Sequence, residues 1–386
     1  MKALSIYAGP RAFEHIQRHG LQPQDVGVIP GAAGGPKGLI LGPLDRFVFG
    51  DWLSHSTHEV HLVGASIGAW RMATACLVEP AQAFARLEHD YVHQHYELQP
   101  GQARPTADFV SARFAQSLQQ FFGSREHEVL QHPRYRLHIV TSRGRHLLRH
   151  ESAWRTPLGY LGAFVSNAVS RRALGAWLER VVFSSSTRGS EAAQCVALPL
   201  DARDYRTRQL PLTKANFMAA LQASCSIPFV LRSVSQIAGA PAAAYWDGGI
   251  TDYHLHLDYA GTPGTPQQDS TGGLKDGAGR ATKLVLYPHF QRAVVPGWLD
   301  KGLRWRHRAS AFLDTTVLLV PQQEWVKKLP NGKLPDRGDF THYGADLAGR
   351  MRAWRAAIAA SGQLSDEFQS WLQRCNGCGN VELHRL

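Results

Sequence analysis

Gly64-Ala65-Ser66-Ile67-Gly68 is a G-x-S-x-G that occurs once in the chain, and the pattern suits a serine nucleophile. A serine on a sharp strand-to-helix turn projects its hydroxyl into the open, and small residues at ±2 let the backbone make that turn. The N-terminus of the helix behind it favours developing negative charge. Here His61-Leu62-Val63 reads as the strand and residues 69–77 suit the helix, so the context fits. The plainer reading is a glycine-rich turn that happens to contain a serine.

A nucleophile needs an oxyanion site and a base. Upstream lies Gly31-Ala32-Ala33-Gly34-Gly35-Pro36-Lys37-Gly38. It fails the Walker spacing, because Gly38 rather than Ser or Thr follows Lys37, and it is no clean G-x-G-x-x-G, which argues against a nucleotide. Backbone N–H groups of Gly34 and Gly35 can instead face a carbonyl oxygen as it turns negative, each worth roughly 3–4 kcal/mol. Pro36 has no N–H to offer. For the base, the histidines downstream include His254, His256, His289, His307 and His342, and no context singles one out. Asp247 does stand out, in Trp246-Asp247-Gly248-Gly249. A carboxylate with a pKa of about 4 is a poor base, but partial desolvation would strengthen it enough to take the serine proton directly. An Asp-Gly turn without chemistry is the rival reading.

The elements that must hold these loops are legible in outline. Residues 26–30 and 60–63 read as short strands, each followed by a glycine turn and a helical pattern, which indicates a parallel α/β sheet. In such a sheet, loops from successive βα units lie side by side at its C-terminal edge. Residues 80–95 and 109–122 are helical in period, 135–141 alternates as a strand, and 158–183 reads as a buried helix pair or a lid over a lipid site. Thr213 is placed to cap a helix running to Cys225. Residues 261–280 read as a surface loop, 283–287 as a strand, and 351–360 and 368–372 as two closing helices.

Gly34-Gly35-Pro36-Lys37-Gly38, Gly64-Ala65-Ser66-Ile67-Gly68 and Asp247-Gly248-Gly249, in that order, resemble the three signature blocks of patatin-like phospholipases. Ala223-Ser224-Cys225-Ser226-Ile227-Pro228-Phe229 resembles the segment that precedes the Asp block in that family. The core motifs span about residues 24–255. The resemblance implies a three-layer α/β/α fold with a mainly parallel central sheet, in one domain over 1–386 whose C-terminal part, 281–386, completes or decorates the core. It implies a serine acyl hydrolase of phospholipid or lysophospholipid esters, without metal or cofactor. Ser66 would be the nucleophile, Asp247 the sole base and Gly34/Gly35 the oxyanion site, supported by Lys37, Gly38, Gly64, Gly68, Gly248 and Gly249. Two departures stand out: Ala33 replaces the first glycine of the usual three, and Asp252-Tyr253-His254 follows where Asn and Pro are common.

Bulk properties narrow the rest. A hydrophobic fraction of 44% and ten Trp suit a globular chain, and no window has the ~18 apolar residues of a membrane span. The first twenty residues lack the apolar region of a signal peptide, so a cytoplasmic protein with optional peripheral membrane contact is expected. Five scattered cysteines, with one Cys375-x-x-Cys378 pair, suggest free thiols rather than disulfides or zinc. The net charge of +11 could serve nucleic acid, anionic lipid headgroups or acidic small molecules such as acyl-CoA. No nucleic-acid-binding motif accompanies it, and charge alone decides nothing, whereas the family resemblance implies a lipid or acyl-ester partner. Trp298, Lys301, Arg304, Trp305, Arg306 and Arg308 form a basic-aromatic stretch, either an anionic-membrane contact or a solvated helix. His89 and His93 lack the H-E-x-x-H order and read as a solvated face. Three rivals stay open: an α/β-hydrolase with a Ser-His-Asp triad, an acyltransferase, and a catalytically silent lipid-binding protein.

Overall fold

The computed structural model describes residues 1–96, 102, 105–187, 194–259, 283–377 and 381–386. The 261–280 loop and Cys378 lie outside the described residues.

Ten strands are present among the described residues: β1 (Leu4–Ala8), β2 (Val26–Gly31), β3 (Val60–Ala65), β4 (Tyr135–Gly144), β5 (Leu178–Ser184), β6 (Thr207–Pro211), β7 (Tyr245–Asp247), β8 (Leu284–Pro288), β9 (Thr316–Pro321) and β10 (His384–Arg385). They form one sheet in the order β10-β1-β9-β8-β2-β3-β4-β5-β6, with β7 paired to β4. The five central strands β9, β8, β2, β3 and β4 run parallel. β1 and β5 turn the sheet antiparallel on either side.

Side-chain alternation along the strands builds two cores. Leu62, Leu137, Ile139, Val181, Phe183 and Leu286 face the larger one. Val28, Val63, Ala65, Val140, Val182 and Val285 face the other. Strands buried on both faces read as near-continuous apolar runs because helices and loops must cover each side. On the first face the helices Gly42–Gly50, Ile67–Ala75, Pro80–Val92 and Leu347–Asn376 pack against one another. Arg71, buried in the second of these, holds buried Asp45 in the first through two 2.8 Å hydrogen bonds. The other face is covered in part by loop residues such as Leu200, Leu255 and Leu257. This is the expected α/β fold with a mainly parallel central sheet.

Local differences from the sequence reading have physical causes. The chain after the 31–38 cluster first makes a 3-10 turn, Gly35–Leu41, and only then the helix Gly42–Gly50, with a proline in its first turn. The 158–183 stretch is a helix, Arg155–Val169, followed by a 3-10 turn and the buried strand β5. A run of apolar residues does not by itself separate buried helix from buried strand. The helix ending at Cys225 starts at Phe217, after a turn in which the Asn216 Oδ1 accepts from the Thr213 N–H at 2.8 Å. Thr213 is therefore not its cap. The two closing helices are one, Leu347–Asn376. It buries Gly349, Arg350, Trp354, Ala357, Ile358, Ser361 and Leu364 in succession, so its apolar face continues across the presumed break. The 298–308 stretch is two 3-10 turns, Trp298–Asp300 and Arg304–His307, rather than a helix.

Candidate active site

One strand brings Ser66 and Asp247 together. β4 pairs along the same edge with two strands that run toward each other. Parallel β3 ends with Ala65 opposite Val140, and antiparallel β7 ends with Asp247 opposite Thr141. The C-terminal ends of β3 and β7 therefore meet at consecutive residues of β4. Ser66, one residue beyond β3, donates a hydrogen bond from Oγ to Asp247 Oδ2 at 2.6 Å.

The turn at Ser66 is held by close backbone packing. Ser66 adopts φ 57° and ψ −132°, a conformation that costs of order 1–3 kcal/mol and persists only when its surroundings impose it. The glycines at ±2 make that possible. A Cβ at Gly64 would lie 2.6 Å from the Ala69 nitrogen, and one at Gly68 would overlap the carbonyl oxygen of Gly31 at the end of β2. The helix Ile67–Ala75 thus seats directly on β2. Gly68→Ala is expected to destabilise the protein by about 1–3 kcal/mol through this overlap and to lower activity by shifting the serine. A urea midpoint equal to the parent's would contradict the packing.

Ser224 ties the turn to β4 from behind: its Oγ accepts from the Ser66 N–H at 3.0 Å and donates to the Val140 carbonyl at 2.7 Å. The Asp247 and Gly248 amides bond to the Ser226 and Ser224 carbonyls, and the Ser142 hydroxyl donates to the Asp247 carbonyl at 2.9 Å. Asp247 Oδ1 accepts from the Gly249 N–H at 2.7 Å. Both glycines are sterically required, since a Cβ at Gly248 would overlap the Val140 carbonyl and one at Gly249 would sit 2.6 Å from the Ala33 Cβ. Burial raises the Asp247 pKa. The Ser66 hydrogen bond, the Arg337 charge, the Gly249 N–H and Lys301 offset only part of that rise.

Gly34 lines the same cavity as Ser66 and Asp247. Gly34 and Gly35 lead into the 3-10 turn, where the first N–H groups have no partner within the helix. The Ala33 N–H, by contrast, is bonded to the Tyr253 carbonyl at 2.9 Å. Ala in place of the first glycine therefore occupies a position whose N–H is already taken. Gly38 meets Arg71 and Ile67 only at ordinary contact distance.

The cavity has a volume of about 340 Å³. Beyond Ser66, Asp247 and the glycine loop, its walls include Ile227, Pro228, Tyr253, Trp298, Lys301 and Arg337. Lys37 lies in the same wall, its ammonium 5.5 Å from the centre of the Phe290 ring, and burial lowers its pKa. The Lys301 ammonium sits 4.0 Å from the centre of the Tyr253 ring. Although much of its side chain reaches solvent, desolvation of the ammonium and the neighbouring Arg337 and Lys37 charges push it down to about 8. In the sequence Lys301 belongs to a stretch that reads either as an anionic-membrane contact or as a solvated helix; Arg337 carries no sequence signal at all.

The departure after Asp247 has a structural role. Asp252, fully buried, accepts from Arg180 Nε at 2.8 Å and Nη2 at 2.6 Å. Burial would raise its carboxyl, but the Arg180 guanidinium holds it below the usual carboxylate range. This pair anchors the short helix Gly249–Asp252 behind Asp247. His254 is buried outside the cavity lining, where its Nδ1 accepts from the Val295 N–H at 3.0 Å. His256 contacts Ser310, and His289 contacts Gln291. No described histidine lines the cavity. His89 and His93 lie on and just after the helix Pro80–Val92, and among the described residues no group of three potential ligands could hold a metal. Cys76, Cys195, Cys225 and Cys375 carry free thiols.

A buried serine on a strained strand-to-helix turn, beside a carboxylate at the C-terminal edge of a mainly parallel sheet, marks an α/β protein with its candidate site at the strand ends. A family model described as Patatin-like phospholipase matches residues 60–254, just over half of the chain, and the chain belongs to that family of lipid acyl hydrolases. The matched segment contains Ser66 and Asp247 but not the 31–38 loop or Lys301 and Arg337. A comparison with curated proteins found no match.

Proposed function

We propose that the protein hydrolyses fatty-acyl esters of phospholipids or lysophospholipids with Ser66 as nucleophile and Asp247 as base. The observation that carries this reading is the 2.6 Å hydrogen bond from Ser66 Oγ to the buried Asp247 carboxylate, within an open cavity. A raised pKa makes that carboxylate a better proton acceptor than an exposed aspartate.

Ser66 Oγ attacks the acyl carbonyl carbon while its proton passes to Asp247 Oδ2. The carbonyl oxygen, now negative, is met by the Gly34 and Gly35 N–H groups, whose donors need no reorganisation as charge develops. Collapse breaks the ester bond, and the leaving glycerol oxygen takes the proton from Asp247. Water then attacks the acyl-enzyme, giving its proton to Asp247. The fatty acid departs as Ser66 recovers its hydrogen. Lys37, Lys301 and Arg337 around the cavity suit a phosphate-bearing headgroup, whose oxygens accept charge-assisted hydrogen bonds from ammonium and guanidinium groups.

Purified protein incubated with lysophospholipid should release free fatty acid and the glycerophospho-headgroup in equal amounts. Transfer of the acyl chain to an added alcohol without water-dependent release would instead favour an acyltransferase.

The pH profile follows from two of the shifted groups, Asp247 and Lys301. Asp247 must be deprotonated to act, so kcat/KM rises with pH through its raised pKa, and the acid limb lies above the ordinary carboxylate value of about 4. Lys301 loses its charge as the pH passes about 8, so KM for anionic substrates rises above that point. A neutral ester should show no such alkaline rise, and Lys301→Met should remove it. An alkaline limb unchanged in that variant would rule out Lys301 as its source.

A further inference from the structure

The helix Arg155–Val169 is amphipathic in the reverse sense for a surface helix. Thr156, Gly159, Tyr160, Ala163 and Asn167 are buried. Trp154, Leu158, Leu161, Val165 and Val169, which recur every three or four residues and so share one face, point outward. Leu161 is 59% exposed, Val165 55% and Val169 83%. A contiguous apolar face of this kind marks an interaction surface rather than scattered exposure.

Its surroundings say what covers it. The helix that carries the stripe packs beside the segment that follows the cavity wall: Tyr160, on its buried side, meets the Phe229 ring edge-on at 5.9 Å. Phe229 and Val230 are themselves exposed, directly after the cavity residues Ile227 and Pro228. At the other end, Asn167 donates to Asp300 at 2.8 Å, which fixes the 298–307 turns beside the helix and leaves Trp305 62% exposed. Positive charge predominates around this surface, and the acids at its Phe229 end, Asp108 and Glu151, are both paired with Arg232. Residues 152–178 contain three arginines and no acid, and residues 301–313 contain one lysine, three arginines and no acid. Arg155 and Arg172 are exposed at the stripe, and Arg304 and Arg308 beside Trp305. An apolar face rimmed by cations, with aromatic residues at its edge, matches an anionic lipid interface.

We infer that the face formed by Leu158, Leu161, Val165 and Val169, with Phe229 and Trp305 at its ends, seats the protein on an anionic membrane. There the mouth of the Ser66 cavity opens toward the lipid. The inference rests on the acyl-hydrolase reading for its purpose, but the binding itself does not depend on Ser66.

Vesicle binding and catalysis can therefore be measured apart. Ser66→Ala protein, which would not consume the lipid, is sedimented with phosphatidylcholine vesicles with and without phosphatidylglycerol. It is expected to bind the anionic vesicles and to bind pure phosphatidylcholine more weakly. Adding Leu161→Asp and Val165→Asp should lower the anionic-vesicle affinity at least tenfold. In the Ser66 background the same pair should leave turnover of a dissolved short-chain ester unchanged, which also shows that the variant folds. Val169→Ser with Trp305→Ala, a milder pair at largely exposed positions, should weaken binding in the same direction. Parent protein that ignores anionic vesicles, or either pair binding as the parent does, would overturn the inference. So would a dimer that the aspartate pair splits without loss of vesicle binding, because a second copy would then be the occupant.

Discussion

Ser66→Ala is expected to reduce acyl-ester hydrolysis by about 10⁶-fold, the scale seen when an activated serine is removed, while the fold stays intact. The strained conformation at residue 66 is imposed by the backbone contacts of Gly64 with Ala69 and Gly68 with Gly31, and alanine carries the same Cβ. The hydroxyl itself makes the single bond to Asp247. Losing it removes one of the influences that hold the Asp247 pKa down, so the carboxyl takes up a proton more readily instead of remaining a buried unpaired charge. Circular dichroism and the urea midpoint should stay close to the parent's. Hydrolysis within tenfold of the parent would remove Ser66 from the chemistry.

Asp247→Asn is expected to cost about 10³–10⁴-fold in kcat, the upper range for a general base. The amide is nearly the carboxylate's shape. Its oxygen can still accept from the Gly249 N–H, now held at 2.7 Å. Its NH₂ then faces Ser66 Oγ as a donor, so the serine proton has nowhere to go. The acid limb of the pH profile should disappear from whatever activity survives. If a histidine were the base and Asp247 lay outside its triad, this substitution would be far milder. Retention of most activity in Asp247→Asn would thus point to another base.

The site was legible where local chemistry dictates the residue type. Only small residues fit beside Ser66 and Asp247, because the Gly64, Gly68, Gly248 and Gly249 positions each face backbone or a neighbouring loop at contact distance. That steric demand writes itself into the sequence. The parallel strands β2 and β3 were visible for a similar reason, as short apolar runs ending in glycine turns. Long-range placement left no such trace. Strand β9 pairs with β1 across about three hundred residues of chain, and no local pattern encodes that pairing. Ser224 reads as one more small residue until it is seen bridging Ser66 and Val140. Arg337 and Lys301 reach the cavity from loops, where neither period nor spacing constrains a charged residue. Strand β5 reads as part of a helical stretch because its apolar run follows a true helix with only a 3-10 turn between them. The long C-terminal helix reads as two because Ser361 and Gly362 interrupt the apolar pattern, although the buried face continues through Leu364 and Phe368.

The most direct test of a serine nucleophile paired with Asp247 is labelling by a fluorophosphonate, read by intact mass and peptide mapping. Wild-type protein should gain one adduct, located on Ser66, Asp247→Asn should label much more slowly, and Ser66→Ala should gain none. An adduct of unchanged yield in Ser66→Ala, or a wild-type adduct mapping to another residue, would contradict the assignment.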